Sequence, residues 1–200
     1  MNLNQHQQIH EQYRSSLLTT YIKHWGNPNI IKTYSKDSSC KIEILVFHDL
    51  IHRNMTRIVT FGFVNIQIEQ SYNKLNEYYF ILPTIFVKQD MNEYIDYLMN
   101  LGLHLSKKEL TCDVSIITDI QIAPLKLKQK CILDDEACLE HESFNNMYLL
   151  DQDSAVQLRW LIPIFDSEAE FILHNGVEAF EELERDFQYS LINIDRPTII

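Results

Sequence analysis

The chain has 200 residues, 46% hydrophobic and 22% charged, the balance of a soluble globular protein with material for one core, and it reads as a single domain over residues 1–200. The polar start MNLNQHQQIHEQ lacks a basic-then-apolar leader, and the longest apolar run, Tyr78 to Val87, contains Pro83 and is about half as long as a membrane-spanning helix, so a cytoplasmic location is expected. The net charge of −11 is unevenly placed: residues 1–133 carry 14 Lys+Arg against 12 Asp+Glu, whereas residues 134–200 carry 3 against 16, a field that repels nucleic acid and anionic membranes and attracts basic partners.

Ile9, Tyr13, Leu17, Tyr21 and Trp25 recur every four positions among polar residues, which predicts an amphipathic helix over 5–25, stopped by Gly26-Asn27-Pro28. Residues 1–30 are therefore expected to be helix and linker. Lys41 to Phe47 is a short apolar run with the look of a buried strand. The β-branched and aromatic stretch Met55 to Ile68 predicts a second, with Gly62 at a bulge or a close backbone approach. Tyr78 to Val87 makes a third, and short polar links favour an antiparallel meander. Asp90-Met91-Asn92-Glu93 has the form of a capping box, opening a helix with Tyr94, Ile95, Leu98 and Met99 on its apolar face and Gly102 at its end. Thr111 to Thr118 and Asp119 to Leu127, broken by Pro124, read as two further strands.

A basic edge, Lys126, Lys128 and Lys130, then gives way to Asp134, Asp135, Glu136, Glu140 and Glu142, which have little hydrophobic periodicity and are expected in a loop presented by the scaffold. Asn146 to Leu150 and Val156 to Ile164 form an expected hairpin around Asp151-Gln152-Asp153-Ser154. In the second arm Val156, Leu158, Trp160 and Ile162 alternate with Gln157, Arg159 and Leu161, the pattern of a strand with one face in the core. Pro163 ends it, Asp166 or Ser167 caps a helix with Glu168 and Glu170 in its first turn, and Gly176 closes that helix. The last helix, 177–187, should turn Val177, Phe180, Leu183 and Phe187 inward and Glu178, Glu181, Glu182 and Glu184 outward; residues 166–187 are thus a helix pair.

Constellations for chemistry are weak. His48 and His52 share the four-residue spacing of a helical metal site but follow a strand run, and His6 and His10 lie on the polar side of the first helix. Cys131, Cys138 and His141 match no common zinc spacing, and the four cysteines form no CxxC pair, so reduced thiols are expected. Asp151-x-Asp153 and Glu168-x-Glu170 are carboxylate pairs that a turn and a helix N-terminus explain more simply than Mg²⁺ does. No GxSxG, GxGxxG or GxxxxGK motif is present. No catalytic residue, metal or cofactor is expected.

Trp160-Leu161-Ile162-Pro163-Ile164-Phe165-Asp166-Ser167-Glu168-Ala169-Glu170-Phe171, followed by Asn175-Gly176-Val177-Glu178-Ala179-Phe180, resembles the C-terminal signature of the Suppressor of fused family as it occurs in bacteria. Asp195-Arg196-Pro197-Thr198-Ile199-Ile200 resembles the closing Arg-Pro-Ser-Val-Val-type tail. Met55 to Asn65 is similar to the segment that carries a Thr-x-Gly-x-Ser strand in that family, with Thr60 and Gly62 in place and Val64-Asn65 departing from it. The resemblance implies an α+β domain, a mostly antiparallel sheet with packed helices, in which Trp160, Pro163, Glu168, Gly176, Asp195, Arg196 and Pro197 are structural. It also implies a binding protein rather than an enzyme. The animal member clasps a peptide as an added β-strand, and many bacterial members look like immunity proteins against polymorphic toxins, often nucleases or deaminases with basic surfaces. The expected function is therefore neutralisation of a cognate toxin domain by occlusion, with Asp134, Asp135, Glu136, Glu140, Glu142, Asp151 and Asp153 as the binding surface. The alternatives are a peptide-binding regulator working by β-strand addition, and a metal-dependent hydrolase using Asp151, Asp153 or the histidines.

Overall fold

The computed structural model describes residues 3–35, 41–48, 54–69, 75–105, 115–118, 123–145, 147–149 and 155–200. In chain order these form α1 (Leu3–Trp25), β1 (Ile30–Ser35), β2 (Lys41–His48), β3 (Met55–Phe61), α2 (Phe63–Glu69), β4 (Leu75–Pro83), α3 (Thr84–Leu105), β5 (Ser115–Ile117), β6 (Cys131–Glu136), a 3₁₀ turn (Glu142–Phe144), β7 (Tyr148–Leu149), β8 (Ala155–Ile164), α4 (Asp166–Asn175) and α5 (Val177–Arg185). The strands make one sheet in the order β1-β2-β3-β4-β8-β6-β5, and β7 also pairs with β8. Every pairing is antiparallel except β4 with β8, which run parallel from Leu75↔Val156 to Tyr79↔Trp160. The expected α+β class and mostly antiparallel sheet are what the chain adopts. No helix among the described residues is long and apolar enough to cross a membrane.

The sheet is covered on both faces, which explains why its central strands read as apolar runs. On one face Tyr13, Leu17 and Tyr21 of α1, with Ala169, Ile172 and Phe180 of α4 and α5, pack on Leu45, Phe47, Val59, Tyr79, Leu158, Trp160 and Ile162. On the other, Val87, Tyr94, Ile95, Leu98 and Leu105 of α3 pack on Ile44, Val46, Ile58, Tyr78, Phe80 and Leu161. Accordingly β8 does not keep one face in solvent: Arg159 and Leu161 are as buried as Leu158 and Trp160. Helix α1 follows its four-residue spacing and stops at Gly26, whose φ of +80° suits glycine and whose N–H donates to the Ile22 carbonyl at 3.0 Å.

Several boundaries depart from the sequence reading. β1 starts at the last residue of the expected helix and linker, Ile30, and its remaining residues fall in no element expected from the sequence. The run 55–68 is not one strand: β3 stops at Phe61, Gly62 adopts φ +118°, and the chain turns directly into α2. A Cβ on Gly62 would lie 2.5 Å from the Lys41 carbonyl oxygen, so the glycine does mark a close backbone approach. The third strand begins earlier and ends at Pro83, where α3 takes over; the capping-box position Asp90 survives as a kink with φ −120° and ψ 28°. Of the two strands expected over 111–127, only β5 is seen among the described residues; 119–122 lie outside them, and residues 123–130 form no strand. Asp134, Asp135 and Glu136 stand in a strand, not a loop. β8 continues one residue past Pro163, which sits opposite Ile132. The hairpin of β7 with β8 is present, while its turn, with Asp151 and Asp153, lies outside the described residues. Phe165 rather than Asp166 or Ser167 is the N-cap of α4, and Leu183 of α5 points outward with 39% of its surface exposed.

α3 runs through Gly102 because the glycine makes room for Phe63: a Cβ there would meet the ring at 2.8 Å. Gly102→Ala should destabilise the protein by about 1–3 kcal/mol through overpacking. Adding Phe63→Leu should recover part of that in thermal denaturation. An unchanged melting temperature for the single variant would show that the ring simply swings aside.

Candidate protein-interaction cleft

Residues 137–145 leave the sheet after β6 and fold back over the end of α1. Glu140 accepts hydrogen bonds from Arg57 Nε at 2.7 Å and Trp25 Nε1 at 2.9 Å. Phe144 stacks on Trp25 with ring centroids 4.7 Å apart, and His141 stacks on His24 at 4.6 Å. Burial, with His141 alongside, holds the His24 pKa below its ordinary value. His141 is thus spent on α1 rather than on Cys131 and Cys138, and no three His, Cys, Asp or Glu side chains among the described residues converge as metal ligands. His48 bonds Thr56 Oγ1 through Nδ1, and its spacing partner His52 lies outside the described residues, as do the side chains of His6 and His10. The Cys131 thiol, buried and donating to Asp166 Oδ1 at 3.3 Å, is pushed up to about 12; burial raises that of Cys138 as well. Neither is poised as a nucleophile.

Of the seven acidic residues expected to act together, the five that are described take up different settings. Asp134 is fully buried and holds Arg159 Nε at 2.9 Å; burial raises its pKa despite that guanidinium. Glu140 is the strap just described. Asp135 is half-buried, Glu136 and Glu142 are exposed, and Asp151 and Asp153 lie outside the described residues.

Asp135 instead belongs to a cleft of about 370 Å³ between α5, the β6–β8 face and the turn at Cys138. Its floor is Leu133, Trp160, Ile162, Phe180 and Leu191, all buried core residues, and its mouth carries Asp135, Glu181 and Glu184. Glu181 and Glu184 are one helical turn apart and make no side-chain hydrogen bond or ion pair with any described residue. Partial burial, with the like charge of Glu181 added, raises the Glu184 pKa. The outward glutamates and inward Phe180 of this helix are legible in its sequence; the opposing wall of the cleft is not.

The signature residues are tied together beneath this surface. Glu168 accepts from Arg196 Nη1 and Nη2 at 2.5 and 2.8 Å, from the Phe165 N–H at 2.9 Å and from the Ile199 N–H at 2.9 Å. The C-terminal tail is thereby fastened to the start of α4. Arg196 also donates to the Pro197 carbonyl at 3.1 Å, Asp195 stays exposed 3.6 Å from Lys128, and Gly176 takes φ +88° between the two helices. A second buried carboxylate, Glu77, receives Thr60 Oγ1 at 2.5 Å and the Gly62 N–H at 2.8 Å. Sequence reading names Thr60 and Gly62 but not their common acceptor, which stands on the next strand.

The described residues thus form an α+β scaffold that carries an acid-mouthed apolar cleft on its surface. The chain belongs to the Suppressor of fused protein (SUFU) family, whose sequence profile matches residues 39–197. Its fold is similar to that of a putative SUFU homologue from Neisseria gonorrhoeae FA 1090, at 16% identity and TM-score 0.69, covering 95% of this chain and 98% of that one. It is also similar to the Sufu–Fu complex structure, at 15% identity and TM-score 0.61 over 94% and 91% of the two chains. Drosophila Suppressor of fused matches at 16% identity and TM-score 0.58 over 93% of this chain and 50% of that one. No curated protein matches the sequence.

Proposed function

We propose that this protein acts by binding another protein and occluding it, as an immunity protein against a toxin domain with a basic surface, and carries out no chemistry of its own. The observation that carries this reading is the cleft: an apolar floor ringed by Asp135, Glu181 and Glu184, in a part of the chain where 3 Lys+Arg face 16 Asp+Glu. Such a surface steers a cationic partner at distance and rewards contact with apolar burial. A similar fold has been solved as the Sufu–Fu complex, which supports a role in holding a protein partner.

The test is co-expression with a toxin domain found encoded next to the gene for this chain. A complex is expected, and neutralising Glu136, Glu142, Glu181 and Glu184 to Gln together should slow association by about tenfold and flatten its dependence on NaCl in stopped-flow mixing. Failure to form a complex, or association kinetics untouched by the four changes, would overturn the reading.

A second reading, capture of an extended peptide as an added strand, is favoured by β1. Among the described residues this strand ends the sheet and leaves Ile31 56% exposed, while Lys32, the charge that would guard the edge, is drawn onto Asp96 of α3 at 2.6 Å.

A further inference from the structure

The shape of the cleft restricts what can enter it, and this inference rests on the protein-binding reading above. Its 370 Å³ lies at the low end of the roughly 300–1,000 Å³ found for ligand pockets, and an α-helix, about 10 Å across, does not fit. A single large side chain does. The floor is continuous with the core, since Leu133, Trp160, Ile162, Phe180 and Leu191 all belong to the cluster under α1 and α4. An apolar side chain placed there would meet packed hydrocarbon and the Trp160 ring, with Leu139, 53% exposed, as an apolar lip. The mouth sets a different condition. Asp135, Glu181 and Glu184 crowd it with Arg185 as the cation in the lining and buried Arg196 drawing on Glu184 from below, and neither glutamate has an ion-pair partner among the described residues. A partner that brings lysine or arginine on either side of its apolar residue relieves that repulsion as it docks, whereas an acidic flank adds to it.

We propose that this cleft is a socket for one large apolar side chain of a protein partner, presented between basic residues. The burial anchors the complex and the flanking charges select it, the division of labour found at interface hot spots.

The probe is a fluorescein-labelled pentapeptide with phenylalanine at its centre, flanked by arginines and then lysines, read by fluorescence anisotropy. Three changes should each weaken its binding by about tenfold or more. They are serine for the central phenylalanine, Ser190→Trp, which fills the cleft from its exposed wall, and Glu181→Gln with Glu184→Gln at the mouth. The serine peptide needs no protein variant, so the outcome does not depend on how Ser190→Trp folds. If the serine peptide and Ser190→Trp bind as the originals do while the glutamine pair loses binding, the socket is overturned and the acidic-surface reading stands. If the glutamine pair also binds unchanged, both are overturned. A peptide that does not bind at all overturns the socket, leaving the broader reading to be judged on the toxin complex.

Discussion

Arg196→Met is expected to lower the free energy of unfolding by about 3–5 kcal/mol, read from urea denaturation, the largest loss foreseen for a single side chain here. The reason is the carboxylate it leaves behind. Glu168 and Arg196 are both 0% exposed, and the guanidinium spans the two carboxylate oxygens in a fork. Removing the cation strands a charge that only the Phe165 and Ile199 amides still satisfy. The pair is not thereby a large net stabiliser, because desolvating both ions offsets most of their attraction. Its stronger effect is on position, since it fixes where the tail lies against α4. Replacing both residues, as Glu168→Met with Arg196→Met, should therefore recover part of the loss and leave about 1–2 kcal/mol for the two orphaned amides. A loss below about 1 kcal/mol in the single variant would mean that water reaches Glu168 and that the site is not closed.

What the sequence could and could not convey follows the range of the interactions. α1, β2, β8, α4 and α5 are legible because each is marked by local spacing, by a glycine stop or by a continuous apolar run. β6 is not, because three acidic residues in six look like a solvated loop; the cation that lets Asp134 sit in a buried strand, Arg159, is 25 residues further along. α2 is hidden for the opposite reason: Phe63 to Glu69 is rich in β-branched and aromatic residues, and the turn at Gly62 overrides that propensity. The same limit applies to the site. Glu181 and Glu184 can be placed on an outer helix face from spacing alone, but the socket also needs Leu133, Trp160 and Leu191 from three separate stretches. Trp160 floors the cleft and Glu168 fastens the tail, placements that depend on partners far along the chain.

Between pH 4.5 and 8 the protein should lose about 3 kcal/mol of stability through one group, Glu77, and Glu77→Gln should remove that dependence. Glu77 is completely buried, and desolvation raises its pKa from the ordinary 4.5 to about 7. The hydrogen bonds from Thr60, Gly62 and Val64 favour the carboxylate and limit the rise without cancelling it. A folded-state pKa above the unfolded one means that the fold prefers the protonated acid. Its contribution is complete below pH 4.5 and disappears as the pH climbs through 7. The architecture explains why the acid is kept. The β3–β4 ladder stops at Val59↔Tyr79, the Tyr78 N–H turns to Thr60 Oγ1 at 2.7 Å, and Glu77 takes the Thr60 hydroxyl and the Gly62 N–H where the chain leaves the sheet. Glutamine reproduces the neutral form at similar size. Urea denaturation of both proteins across this pH range should give curves that meet near pH 4.5 and separate above it, the wild type falling below the variant. Glu43 and Asp96, whose partners lower their pKa, and His24 change both proteins alike and drop out of the difference. Parallel curves would instead show that the amides of the Gly62 turn hold Glu77 ionised throughout.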